Sequence, residues 1–154
     1  MKRQDLARMK SVMSQIWGEK FPVKFTYALA KNERIITAVL DETNKLLQPP
    51  EGYSEWEKQR LELCREMAVK DDDGNPKMQN NNFVIEDMDE FDKKIEELKK
   101  KHPVVDEFEA NRKKHAEKMN EEIEDPGLHK VQNEDLPEEM SPKVFQALMP
   151  MIVG

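Results

Sequence analysis

Cysteine is almost absent: Cys64 stands alone among 154 residues, which excludes internal disulfides and any multi-cysteine zinc or iron–sulfur site. Glycine is scarce too, with five residues, and the phosphate-cradling loops that need it are missing. Neither a Walker A loop, a G-x-G-x-x-G turn nor a G-x-S-x-G elbow occurs. The three histidines, His102, His115 and His129, are spaced too far apart for a zinc motif. No apolar run is long enough to form a transmembrane helix. The opening MKRQDLARMK alternates charge with apolar groups and lacks an apolar h-region, so no secretory signal and a cytoplasmic location are expected. These absences predict a non-enzymatic protein with no catalytic residues, no cofactor, no metal and no membrane contact.

Charge is abundant instead. Charged and apolar residues each make up 37 %, and mean hydropathy is −0.89, so the core must be built from narrow helix stripes. Net charge is −7, unevenly spread. Residues 1–40 carry eight basic side chains against three acidic ones, whereas residues 121–139 carry eight acidic ones against Lys130 alone. Two ends of opposite sign either meet and neutralise or are solvated separately. The acidic remainder repels a polyanion, which disfavours nucleic acid as partner.

Periodicity sets the fold class: mainly α, with five to six amphipathic helices in one domain and a small antiparallel β-hairpin. Leu6, Met9, Met13, Ile16 and Trp17 form the stripe of a helix over residues 3–18. From Pro22 a second helix aligns Leu29, Ile36, Leu40 and Leu47, and Pro49-Pro50 ends it. Ser54 with Glu57 reads as a capping box opening a third helix, which places Trp56, Arg60, Leu63, Cys64 and Met67 in one lane. There Cys64 reads as a small core residue rather than a nucleophile. Residues 77–79 and 83–85 flank Asn80-Asn81-Asn82 as a hairpin. Asp87 and Glu90 form a second capping box before the stripe Met88, Phe91, Ile95 and Leu98. Pro103 permits a further helix carrying Val104, Phe108, His115, Met119 and Ile123, stopped by Asp125-Pro126-Gly127.

Two divisions follow: residues 1–127, a helical domain with its hairpin near 76–86, and residues 128–154, an acidic connector with a short apolar helix after Ser141-Pro142. That helix offers Val144, Phe145, Leu148, Met149 and Ile152. A helix of two turns has little stability of its own, so the face either docks on the domain or engages a partner, which makes these five the candidate partner-binding residues. The cluster Asp71-Asp72-Asp73-Gly74-Asn75 invites comparison with a calcium loop, but the register fails. With Gly74 at position six, Val69 falls at the first ligand position and Asn80 at the twelfth. A polar turn is the expectation there.

The segments YSEWEKQRLELCREMAVKDDDGNPKMQNNNFVIEDMDEFDKKIEEL and VQNEDLPEEMSPKVFQALMPMI together resemble an uncharacterised family of tailed-phage and prophage proteins. Lys70, Asp71, Asp73, Gly74 and Pro76 match a K-D-x-D-G-x-P turn, and Asp135, Leu136 and Pro137 match a terminal D-L-P segment, over roughly residues 24–152. The resemblance implies a phage origin, hence the host bacterial cytoplasm, and supplies no activity. Two functions are then in view. One is a non-enzymatic accessory protein that binds a phage or host protein, or a second copy of itself, in virion assembly or in inhibition of a host factor. The alternative is a nucleic-acid-associated protein of replication or packaging that uses the basic first helix.

Overall fold

Asp5 opens the first helix: its carboxylate accepts the Lys2 N–H at 2.8 Å, satisfying a donor that the helix itself leaves free. In the computed structural model, which describes residues 1–154, that helix is α1 (Arg3–Ile16). It is followed by α2 (Val23–Asn44), α3 (Tyr53–Met67), α4 (Met88–Lys100), α5 (Val104–Asn120) and α6 (Pro142–Leu148). Strands β1 (Met78–Gln79) and β2 (Asn82–Phe83) form the antiparallel hairpin, and β3 (Val131–Gln132) pairs in parallel with β4 (Ile152–Val153). The chain is thus mainly helical with one small antiparallel sheet, the class its periodicity predicts. No helix is long and apolar enough to cross a membrane.

The chain divides into two compact units, one of residues 1–46 with 113–154 and the other of residues 47–112. Residues 128–154 therefore share a unit with the first two helices. In that unit α1 buries Leu6, Met9, Val12, Met13 and Ile16, and α2 buries Phe25, Ala28, Leu29, Ile36 and Leu40. Leu128, Val131, Ala147, Leu148 and Met151 complete the same core. Each large side chain fully removed from water here contributes about 1.5–3 kcal/mol before ordering costs. Two residues assigned to the stripes fall outside it. Trp17 lies just beyond the last turn of α1, and Leu47 sits in the 3-10 turn after α2, where the helical phase is lost; both are exposed.

The second unit is built around Trp56, Cys64, Ala68, Val105 and Phe108. Tyr53 stacks edge-on against Phe108 at 4.7 Å, and His102 bonds Gln59 at 2.8 Å beside the Trp56 ring. Here α3 starts one residue earlier than the expected box at Ser54. Gly52, at φ +88°, precedes its first turn, and Glu57 instead chelates the Arg60 guanidinium at 3.1 and 3.3 Å. Asp87 does cap α4, accepting the Glu90 N–H at 3.0 Å. The stripe of α4 is only half-buried at Phe91, Ile95 and Leu98, and Met88 is exposed. The helix packs chiefly on α3 and is tied to α5 by the Lys99–Glu109 ion pair at 3.2 Å, which leaves its apolar stripe only partly covered.

The hairpin turn is tighter than the three-residue loop expected. Asn80 and Asn81 both lie at positive φ, 51° and 61°, which makes a two-residue turn of the kind that fits strand twist, and Asn82 joins β2 opposite Gln79. Asp71 organises the neighbouring turn, its Oδ1 accepting the Asp73 and Asn75 N–H groups at 3.0 and 2.8 Å.

Candidate partner-binding surface

Ser141 caps α6 through its hydroxyl, which accepts the Val144 N–H at 3.3 Å, and Pro142 occupies the first turn, as the sequence implies. The helix is two-faced. Leu148 is fully buried and Val144, one turn before it, packs half-buried against the same core. Phe145 and Met149, also one turn apart and about 100° around the helix from that pair, are 41 % and 56 % exposed. At the end of a 3-10 turn over residues 149–151, Met151 returns to the core, and Ile152 is half-buried in β4. The five candidate residues are therefore not one surface. Leu148 belongs to the interior, Val144 and Ile152 line its edge, and only Phe145 and Met149 are presented to solvent.

The segment is held by more than its apolar face. Val131 pairs with Ile152 and Gln132 with Val153 in the parallel ladder, and the Lys130 ammonium donates to the Pro150 carbonyl at 2.8 Å. Asn32, fully buried on α2, donates to the His129 carbonyl at 2.9 Å and accepts the His129 N–H at 2.7 Å, fixing the approach to β3. Its Nδ2 also lies 3.6 Å from the Met151 sulfur. Every buried side-chain nitrogen and oxygen has a partner.

The opposite charges of the two ends meet within this unit. Arg3 reaches Glu121 at 3.2 Å and donates to the Lys118 carbonyl, and Lys24 bonds Asp135 at 2.9 Å. The hydrogen bond to Asp135, reinforced by that carboxylate's charge, raises the Lys24 ammonium above its ordinary pKa. Lys10 lies 3.9 Å from Glu33, and Lys31 sits over the Tyr27 ring at 5.5 Å. A good part of the basic end is thus engaged by carboxylates or aromatic faces of the same chain.

Beside β3, a cleft of about 270 Å³ lies between Val23 and Tyr27 on α2 and His129, Val131 and Gln132. Tyr27 meets His129 edge-on at 5.3 Å. Lys24, Asp135 and Lys130 line its rim, Lys24 paired with Asp135 and Lys130 with Asp125 outside the cleft, so both lysines are already engaged by carboxylates. His115 bonds Asn44 at 3.2 Å, half-buried as its apolar lane predicts. Sequence reasoning missed the exposure of Trp17, Val23 and Tyr27, since a stripe assigns a residue to a face without saying where the covering element ends. No protein-family model matches the chain, no curated protein is similar to it, and no solved structure matches its fold.

Proposed function

We propose that the protein is a non-enzymatic phage accessory protein that acts by binding another protein, a virion component during assembly or a host factor to be inhibited. The observation that carries this reading is the pair Phe145 and Met149, exposed on a helix whose other face is locked into the core. Such a helix presents its apolar side chains in one orientation, so a partner that covers them bears little ordering cost. Methionine and phenylalanine are also among the residues enriched at interfaces. The phage setting rests on the resemblance carried by the 70–76 turn and the Asp135-Leu136-Pro137 segment. Internal pairing of Arg3 and Lys24 favours a protein partner over a polyanion, because those cations are already satisfied.

The test is affinity purification from phage-infected cells with the intact protein and with a Phe145→Ser/Met149→Ser variant. The expected result is a stoichiometric partner recovered by the first and lost by the second, with unchanged circular dichroism. Recovery of the same partner by both proteins defeats this reading of the surface. Gel shifts that are tight at physiological salt and abolished by replacing Lys2, Arg3, Arg8 and Lys10 would favour nucleic acid instead.

A further inference from the structure

Around Phe21, where α1 gives way to α2, the surface is apolar with an acidic rim. Two depressions of about 320 and 170 Å³ share Ile16, Glu19 and Phe21 in their walls. Met140 and Val144 close the larger one, with Glu139 at its edge, and Trp17 and Leu29 close the smaller one. The Trp17 indole is 56 % exposed. Phe21 is a fixed wall, because its ring packs edge-on at 5.2 Å against the fully buried Phe25. No lysine or arginine lines either depression, and neither Glu19 nor Glu139 has an ion-pair partner in the chain.

We propose that this surface receives an amphipathic segment of a partner protein, bearing two apolar anchors on one face and lysine or arginine beside them. Size and charge set the occupant's chemistry. Each depression is of side-chain dimensions, at or below the bottom of the range for small-molecule sites, roughly 300–1,000 Å³. Two of them meeting at one rigid aromatic wall suit successive anchors of a peptide laid across it. A half-exposed tryptophan beside that wall is the residue type that dominates binding energy when covered. The unpaired carboxylates complement cationic flanks and repel anionic lipid or nucleic acid. Val144 of α6 lines the larger depression, but neither Phe145 nor Met149 lines either one, so variants of that pair test the two proposals separately.

The test uses the full chain and a fluorescein-labelled amphipathic peptide of leucine and lysine, about five helical turns long, with a leucine–glutamate counterpart of the same pattern. The lysine peptide should bind at least about tenfold more tightly than its counterpart, a difference of about 1.4 kcal/mol. Amide resonances of residues 16–21 and 139–144 should shift with it. Glu19→Lys/Glu139→Lys should reverse the preference, while Glu62→Lys/Glu66→Lys, the same charge change on exposed positions of α3, should leave it, as should Phe145→Ser/Met149→Ser. The proposal is overturned by absence of binding, by shifts confined to other surfaces, or by an equal effect of the two charge reversals. It is equally overturned if sedimentation reveals a dimer of this chain that Trp17→Ser abolishes, since the occupant is then a second copy.

Discussion

Asn32 and His129 hold each other by two hydrogen bonds, one in each direction, between a buried side-chain amide and a backbone peptide group 97 positions away. The amide acts as a single rung of β-ladder supplied by a helix. Asn32→Ala leaves the His129 N–H and carbonyl facing an apolar gap, so we expect a loss of about 2–4 kcal/mol in a urea melt. A loss below about 0.5 kcal/mol would mean that water replaces the amide without penalty.

Leu148→Ala removes a fully buried side chain from the core of the same unit and should cost about 2–5 kcal/mol. Phe145→Ser/Met149→Ser on the adjoining, exposed side should cost clearly less, about 1 kcal/mol or below. Chemical denaturation of both variants checks the two-faced assignment of α6. For the same reason, deleting residues 141–154 should lower stability sharply, because Ala147, Leu148 and Met151 leave the core with it.

The limits of the sequence lie in such details. Helix positions, the Ser141 and Asp87 caps and the Asn-rich hairpin were legible, since each is written in local periodicity or turn chemistry. The burial of Leu148 beside the exposure of Phe145 was not, because both are apolar neighbours and only the position of α1 decides which faces inward. Nor was β4 legible. Two residues after a proline carry no period, and their pairing with Val131 and Gln132 is a tertiary event. The role of Asn32 was hidden for the same cause, its partner being remote in sequence.

Asp125 should make this unit sensitive to acid. Its carboxylate is held below the ordinary range, first by the Lys130 ammonium at 2.7 Å, then by the Leu128 and Gly127 N–H groups. A depressed folded-state pKa stabilises the fold fully above the unfolded value, near pH 4, and that contribution fades as pH falls through the folded value. The stability gap between parent and Asp125→Asn should therefore be constant at neutral pH and narrow below about pH 4. A gap that widens toward acid would contradict it.

Both central residues of the hairpin turn sit at positive φ. Asn81→Gly should stabilise the second unit by about 0.5–1 kcal/mol, and Asn81→Ala should destabilise it by about 1–2 kcal/mol. Thermal melts of the two variants should move in opposite directions, and movement in the same direction would rule out this turn.

Cys64, buried on α3, should react with a thiol reagent only as fast as its surroundings open. Labelling rates measured across a denaturant series should rise with the unfolded fraction. Rapid labelling in buffer alone would show that the Trp56–Phe108 core is loosely closed.

The parallel ladder makes residues 132–151 a loop tied at its neck: Val131 pairs with Ile152, and Lys130 grips the Pro150 carbonyl. Severing the exposed acidic stretch at Glu138-Glu139 would therefore cut the backbone without cutting the fold's hold on α6. The outcome is a nicked protein whose short C-terminal fragment stays bound through Leu148, Met151 and β4. The two pieces, made separately, become a complementing pair, and the same stretch can accept an inserted peptide tag.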